Sequence, residues 1–229
     1  MKGFHPNILV VLLFAGTPAW SQGVISTVAG NGAAGYSGDG GPAAQAMINL
    51  VLGLAADSAG NIYLAEENNY RVRKVDRNGN ITTLAGTGVA GFSGDGGPAA
   101  QARLNAPLGV CTDSAGNVYV NDQSNKRVRR IAADGTITTV AGNGSAVHSG
   151  DGGAATAAGF VLPIRCATDG SGNLYIADQG AHRVRRVAPL GGISTFAEIG
   201  GTKEGDWVYT GLNQESETEL TAAPRHLYE

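Results

Sequence analysis

The chain has 229 residues, of which 36 are glycine and only 15% are charged. This composition argues against a mainly helical protein, because glycine weakens helices and supplies turns. The formal net charge of −3 excludes a general electrostatic attraction to nucleic acid or to anionic membranes.

The first residues have the features of a secretory signal peptide. Lys2 precedes an apolar run at residues 8–15 that is too short to span a bilayer comfortably. Ala19 and Ser21 are small residues at the positions that a signal peptidase reads. We therefore expect residues 1–21 to be removed and the protein to be secreted or periplasmic, with no membrane attachment after cleavage. An uncleaved anchor is the alternative.

Similar segments recur along the remaining chain at one constant spacing. Residues 25–30 read ISTVAG, and close variants begin at residues 81, 137 and 193, so the intervals between successive copies are equal. The sequence SGDGG begins at residues 37, 93 and 149, again at the same interval. Several registers that share one period identify a repeat protein.

Each repeat contains the pattern of four short β-strands. In the first repeat they are expected at residues 53–56, 62–65, 71–75 and 81–85. Turn residues such as Asp57 and Asn61 separate them, because their side chains accept local backbone hydrogen bonds. Four antiparallel strands per repeat indicate a β-propeller blade, here at about residues 52–86, 108–142 and 164–197. Neighbouring blades are expected to pack face to face, since one sheet cannot cover its own two faces.

The order of strands leaves the predicted propeller incomplete. Residues 25–29 have the sequence of a fourth strand, although no first strand precedes them. The predicted fold is therefore all-β, with three four-stranded antiparallel blades plus an N-terminal extra strand. Closed propellers have at least about four blades, so this one is either an incomplete or open propeller, or half of a homodimer that completes a six-bladed ring. Residues 199–229 lack the repeat and are predicted to form a degenerate or disordered tail.

Segments of the second and third repeats resemble the blade signature of the NHL-repeat family. They are residues 109–122 (GVCTDSAGNVYVND), 126–129 (KRVR) and 174–184 (LYIADQGAHRV). The SGDGGP stretch is similar to the inter-blade loop of secreted bacterial members. The resemblance covers roughly residues 24–197, within a predicted propeller domain of residues 22–198, and implies β-propeller repeats that present a binding surface. It also raises two alternatives, because some NHL domains bind RNA and some similar propellers hold a catalytic metal in the central channel.

The glycine-rich loops carry one carboxylate each, at Asp39, Asp95 and Asp151. Such a loop can wrap a calcium ion, but calcium sites usually gather several oxygen ligands. The favoured interpretation is structural: each aspartate caps backbone amides of a tight turn, and Pro42 or Pro98 opens a short helical turn. Whether calcium binds is left open.

Acidic and arginine residues recur at a fixed spacing across the second and third strands. The three pairs are Glu66 with Arg71, Asp122 with Arg127, and Asp178 with Arg183. We interpret them as ion pairs that fix the connecting loops. A polar ring at one mouth of the channel is the functional alternative.

The spacing between the two cysteines, Cys111 and Cys166, is one residue less than the period of the repeat. They therefore occupy equivalent strands but point to opposite faces of their sheets. On this basis we expect no disulfide, only two small buried side chains.

No catalytic site is evident in the sequence. His148 and His182 are not on first strands, where ligands of a channel metal belong, and no nucleophile–base pair can be recognised. Arg165 replaces the glycine found at positions 53 and 109, and either faces the channel mouth or marks a degenerate repeat. Nucleic-acid binding is disfavoured despite the basic third strands, because the chain is acidic and poor in aromatic residues.

The resulting functional prediction is an exported, non-enzymatic binding or interaction scaffold with no cofactor. Its partner is expected to be a protein or a carbohydrate. The alternatives are an extracytoplasmic metal-dependent lyase or lactonase-like hydrolase, and a truncated propeller fragment without a function of its own.

Overall fold

The computed structural model describes residues 25–198. The predicted signal peptide and the predicted C-terminal tail lie outside the described residues. Within them, the chain forms twelve β-strands and five short 3₁₀ turns. Three four-stranded antiparallel sheets confirm the predicted all-β blades, and the sheets do not close into a ring.

Every blade uses consecutive strands in sequence order. Blade 1 contains β1 (Val51–Ala56), β2 (Ile62–Glu66), β3 (Arg71–Val75) and β4 (Ile81–Ala85). Blade 2 contains β5 (Pro107–Thr112), β6 (Val118–Asp122), β7 (Arg127–Ile131) and β8 (Ile137–Ala141). Blade 3 contains β9 (Pro163–Thr168), β10 (Leu174–Asp178), β11 (Arg183–Val187) and β12 (Ile193–Glu198).

The N-terminal extra strand predicted at residues 25–29 is not formed. A fourth strand of this repeat hydrogen-bonds to the third strand of its own blade, as β4 does with β3. Every third strand within residues 25–198 already pairs with the fourth strand of its own blade, so this segment has no described strand to join. Val28 and Ala29 instead pack against the apolar face of blade 1.

The apolar core lies between neighbouring blades and is closed by the loops that connect them. Val72 of blade 1 and Val120 of blade 2 belong to one buried cluster. The connecting loop inserts Leu104, which is fully buried there. Phe160 plays the equivalent part between blades 2 and 3. Each inter-blade loop is therefore part of the core as well as a connection.

Short 3₁₀ turns follow the glycine-rich loops at the predicted places. Pro42 precedes the turn Ala43–Gln45, and Pro98 precedes Ala99–Gln101. A further turn, Ala155–Ala157, occupies the equivalent place before blade 3 although Ala154 replaces the proline. Among the described residues, no helix is long and apolar enough to cross a membrane.

The first strands of neighbouring blades approach each other so closely that glycine is required. A Cβ atom on Gly53 would lie 2.5 Å from the carbonyl oxygen of Leu108. A Cβ atom on Gly109 would lie 2.5 Å from the carbonyl oxygen of Ile164. Both contacts are shorter than van der Waals distance, so the inner edges of the blades are held together by backbone packing.

Replacing Gly53 with alanine is expected to lower the free energy of unfolding by about 1–3 kcal/mol, because the new methyl group forces blades 1 and 2 apart. Gly170→Ala is the matched control, since a Cβ atom there meets nothing within 4 Å. Urea denaturation followed by circular dichroism measures both changes. Equal stability of the two variants would contradict this close packing.

The structure contains a disulfide between Cys111 and Cys166, so the prediction of two unpaired cysteines is wrong. The two residues do project from opposite faces of equivalent strands, as expected. However, face-to-face packing brings opposite faces of successive blades together, and their Cα atoms lie 5.8 Å apart. Cysteines on opposite faces of equivalent strands are therefore the ones that can form a disulfide between neighbouring blades.

Candidate functional site

One polar cluster recurs in every blade, and we call it the arginine cluster. It consists of a buried arginine of the third strand, an aspartate of the preceding glycine-rich loop and a threonine of the fourth strand. The members are Arg73, Asp39 and Thr83 in blade 1, Arg129, Asp95 and Thr139 in blade 2, and Arg185, Asp151 and Thr195 in blade 3. Each cluster ties a loop to the sheet that follows it.

The distances within the arginine cluster are nearly identical in the three blades. The guanidinium nitrogen lies 2.6 Å from Asp39 in blade 1 and 2.7 Å from the equivalent aspartate in blades 2 and 3. The threonine hydroxyl donates to the same carboxylate over 2.6–2.7 Å. All three arginine side chains are completely buried. These contacts are charge-assisted hydrogen bonds between a buried guanidinium group and a carboxylate whose side chain is 34–39% exposed.

The aspartates therefore have a different role from the predicted one. We predicted that Asp39, Asp95 and Asp151 cap backbone amides of their own turns, whereas they accept hydrogen bonds from side chains of the following blade. The turn itself is held by backbone bonds such as Gly41 N–H to the Gly38 carbonyl, 3.0 Å. A guanidinium group thus occupies the position where the calcium alternative placed a metal ion.

The pKa values of the loop aspartates reflect these contacts. Burial alone would raise the pKa of Asp39, but hydrogen bonds from Thr83 and Tyr36 and the charge of Arg73 outweigh it and lower the pKa. The pKa of Asp151 is lowered in the same way, with burial opposed chiefly by Thr195 and Arg185. Both carboxylates remain charged and paired at neutral pH.

The arginines that lie near Glu66 and Asp122 are not the predicted ones. Glu66 lies 3.8 Å from Arg73, and Asp122 lies 3.4 Å from Arg129, in each case two residues beyond the predicted partner. Arg71 donates instead to the carbonyl oxygen of Thr87 over 2.7 Å. The cause is the loop, which offers backbone acceptors to the first arginine of the strand.

The remaining members of the predicted pairs, Arg127, Asp178 and Arg183, also have other partners. Arg127 donates to the carbonyl oxygen of Asn143 over 2.8 Å. Asp178 accepts the backbone N–H of Leu162 over 2.6 Å, and Arg183 pairs with Glu198 at 2.8 Å. These residues fix loops, but not through the pairing that their spacing suggested.

In blades 1 and 2 a buried carboxyl group lies beside the buried arginine of the cluster. Glu66 and Asp122 are both completely buried. Burial raises the pKa of Glu66 to about 7, against the opposing effects of Asn69 and Arg73. Burial likewise raises the pKa of Asp122 to about 6, against the opposing effects of Asn125, Asn105 and Arg129. The folded state thus favours protonation of both groups.

This raised pKa predicts a pH-dependent stability. The folded chain binds the Glu66 proton more tightly than the unfolded chain, whose pKa is near the ordinary value of 4.5. The resulting stability is complete below that value and is lost as the pH rises through about 7. Native protein is therefore expected to lose stability relative to Glu66→Gln between about pH 5 and about pH 8.

Urea denaturation of both proteins across this range measures the effect. The difference between native protein and variant isolates Glu66 from His148, whose pKa is lowered by burial and by Arg185 and which gives the opposite slope. A difference that is constant, or that moves in favour of the native protein as the pH rises, would contradict the prediction.

An aromatic residue covers the arginine cluster in the first two blades. The guanidinium carbons of Arg71 and Arg73 lie 3.7 Å and 5.0 Å from the centre of the Tyr36 ring. Phe92 covers Arg127 and Arg129 in the same manner. In blade 3 the equivalent residue is His148, whose Nδ1 lies 3.0 Å from Arg185 Nη1. At this position the third cluster therefore has a hydrogen bond in place of the cation–π contact, and Arg185 instead lies 5.4 Å from the centre of the Phe160 ring.

Some arginines of the basic third strands, which were considered from the sequence as a nucleic-acid surface, are buried. Arg73, Arg129 and Arg185 are enclosed by their own loops, so they cannot contact nucleic acid. Their role was missed at the sequence level, although the signal was present: each follows its loop aspartate at one constant spacing. Among residues 25–198, no three His, Cys, Asp or Glu side chains come together as a metal site.

A cavity lies where the first strands of the blades converge. Its volume is about 320 Å³, and it is lined by Val51, Leu52, Gly53, Leu54, Val110, Arg165 and Cys166. We call it the axial cavity. Arg165 is its charged residue, and its Nη1 donates to the Leu108 carbonyl oxygen over 2.9 Å. The structure places Arg165 in the lining of this cavity, beside the first strands of blades 1 and 2.

Comparison with known proteins identifies the repeats. Residues 88–148 match the family model of the Teneurin NHL domain. Teneurin-1 of Gallus gallus is 35% identical over 96 residues, which cover 36% of this chain and 4% of that protein. Protein SUPPRESSOR OF QUENCHING 1, chloroplastic, of Arabidopsis thaliana is 30% identical over 121 residues, covering 52% of this chain and 10% of that protein.

Solved structures include partial matches to the chain. A structural genomics protein from Bacteroides thetaiotaomicron is 28% identical, with a TM-score of 0.49 over 56% of this chain and 32% of that chain. The chain spans a tenth or less of the two curated relatives, which are 10% and 4% covered. The period, the four-stranded blades and the match over residues 88–148 together identify the repeats of this chain as NHL-type repeats.

Proposed function

We propose that this chain is an exported, non-catalytic binding scaffold whose protein partner covers the outer face of blade 3. We define the outer face of blade 3 as the apolar surface formed by Tyr175, Val184, Phe196 and Ala197. The observation that carries the proposal is that the same surface of blades 1 and 2 is buried by the next blade. Among residues 25–198, no blade follows blade 3.

Equivalent residues allow a direct comparison of the three blades. Val72 and Val128 are completely buried, whereas Val184 is only half-buried. Ala85 and Ala141 are likewise completely buried, whereas Ala197 is exposed. The sequence thus keeps an apolar residue at each of these positions, although no segment within residues 25–198 covers those of blade 3.

Aromatic residues strengthen the outer face of blade 3. Phe196 is 49% exposed and packs edge-on against Tyr175, with ring centres 5.0 Å apart. Positions 84 and 140, which are equivalent to Phe196, carry the smaller Leu84 and Val140. Exposed aromatic and aliphatic side chains on a flat sheet favour a protein partner, because aromatic anchors dominate the binding energy of protein interfaces.

Export is supported by the disulfide between Cys111 and Cys166. Disulfides of this structural kind persist in oxidising compartments and are rare in the cytosol. The features of residues 1–21 point in the same direction, which makes a secreted or periplasmic location the consistent proposal.

A second copy of the chain is a particular case of the proposed partner. A six-bladed ring of two chains would place blade 3 of one copy against blade 1 of the other. At the equivalent junctions the residue facing the next first strand is Gly53 or Gly109, and its added Cβ atom would meet a carbonyl oxygen. Arg165 at this position requires a wider junction, and this weighs against the symmetrical ring.

Site-specific photo-crosslinking in the native compartment tests the proposal. A photoreactive residue at position 196 is expected to give one discrete protein adduct, and Val184→Asp in the same chain is expected to abolish it. The matched control places the photoreactive residue at Leu190, a completely exposed hairpin position of the same blade.

The outcomes distinguish the candidates. An adduct of two identical chains identifies a second copy as the partner, while an adduct with another protein identifies a separate one. Equal labelling from positions 196 and 190, or an adduct that survives Val184→Asp, contradicts a partner on this face. Stoichiometric zinc or calcium together with hydrolytic activity would overturn the non-catalytic assignment.

A further inference from the structure

We propose that the axial cavity binds a small organic anion with an apolar body, and that Arg165 receives its carboxylate. This site is separate from the outer face of blade 3 and would serve a small molecule, so it goes beyond the scaffold function. Three features of the described residues carry the proposal: the placement of Arg165, its missing counter-charge and the apolar walls.

The first feature is where the charge stands in the repeat. Gly53 and Gly109 occupy the equivalent positions of blades 1 and 2, and both are held against the next first strand. In blade 3 no described strand covers this position, and the repeat carries arginine. The side chain turns back over the neighbouring blade, where its Nη1 reaches the Leu108 carbonyl oxygen. Of the three equivalent positions 53, 109 and 165, the one that carries a charged residue therefore lies at the cavity.

The second feature is that Arg165 has no acidic partner. Within residues 25–198 it makes no ion pair, and its one hydrogen bond is to a backbone carbonyl. The guanidinium group has five N–H donors in a planar fork that matches a carboxylate. The Arg165 residue is exposed, and partial desolvation by the surrounding atoms lowers its pKa. An anion in the cavity would supply the missing charge.

The third feature is a group of apolar side chains within a mixed polar and apolar lining. Leu52 and Leu54 belong to this group and are 38% and 43% exposed. Val110 and the disulfide sulfur of Cys166 complete the same wall. The volume of about 320 Å³ lies at the lower end of ligand pockets. A short aliphatic or aromatic body attached to one carboxylate fits this combination.

Isothermal titration of the full chain with octanoate tests the site, with octanamide as the neutral analogue of the same shape. Octanoate is expected to bind, and octanamide is expected to bind about ten- to a hundredfold more weakly, as is usual when a hydrogen-bonded charge pair is lost. Arg165→Gln is expected to weaken octanoate binding by a similar factor.

Arg186→Gln is the matched control, because Arg186 is an exposed arginine of the same blade. It is expected to leave octanoate binding unchanged. Arg165→Gly, which restores the residue of the other two repeats, provides a second variant if the glutamine disturbs folding. Absence of octanoate binding to the native chain, equal affinity for octanamide, or full binding by both Arg165 variants would each overturn the proposal.

Discussion

Replacing Arg129 with methionine is expected to lower the free energy of unfolding by about 3–5 kcal/mol. The reason lies in what the arginine leaves behind. Asp122 is completely buried 3.4 Å from the guanidinium group, and Asp95 lies 2.7 Å from it. Methionine fills part of the volume but supplies no charge and no donors. A buried carboxylate without its cation is costly, since the folded chain must either protonate it or desolvate it unpaired.

Arg186→Met is the control for this substitution, because Arg186 is exposed on the third strand of blade 3. It is expected to change the stability by less than about 0.5 kcal/mol. Urea denaturation at neutral pH measures both variants. Comparable stability of the two would show that the arginine clusters contribute little to holding the loops on the blades.

Removing the disulfide is expected to lower the free energy of unfolding by about 2–4 kcal/mol. The bond closes a long loop, since the two cysteines have a sequence separation of 55. Its loss therefore restores much freedom to the unfolded chain. The junction between blades 1 and 2 shows which residues can replace the cysteines, because Ala55 and Val110 occupy the equivalent positions there.

The double variant Cys111→Ala, Cys166→Val consequently copies a junction that the chain already packs. Its stability, measured by urea denaturation, should equal that of the native protein after reduction with dithiothreitol. A reductant that leaves the native midpoint unchanged, while the disulfide is shown to be open by thiol labelling, would contradict the prediction.

The strands and turns of the blades could be predicted because the same sequence pattern occurs in three repeats. The four strands of each blade follow from turn residues that recur at a constant spacing, and strands such as β3 and β4 begin and end as expected. The residue that closes each inter-blade loop onto the core, such as Leu104, is harder to foresee. It lies in a loop whose packing depends on the neighbouring blade.

The incorrect predictions all concern contacts between segments that are distant in the chain. Cys111 and Cys166 were judged by the faces of their own strands, whereas the disulfide depends on how two sheets face each other. Glu66 was paired with the nearest arginine in sequence, although Asp39 and the loop decide which arginine turns inward. The alternation of a strand gives the direction of a side chain, but it does not identify the residues of another repeat that contact that side chain.

The direct test of the central claim is a comparison of Val128→Asp with Val184→Asp in the purified chain. The two valines are equivalent, but Val128 is completely buried between blades and Val184 is only half-buried on the outer face of blade 3. Urea denaturation is expected to show a loss of more than about 3 kcal/mol for Val128→Asp, and of less than about 1 kcal/mol for Val184→Asp. Equally large losses would contradict the claim that the outer face of blade 3 is left uncovered by residues 25–198 and is available to a partner.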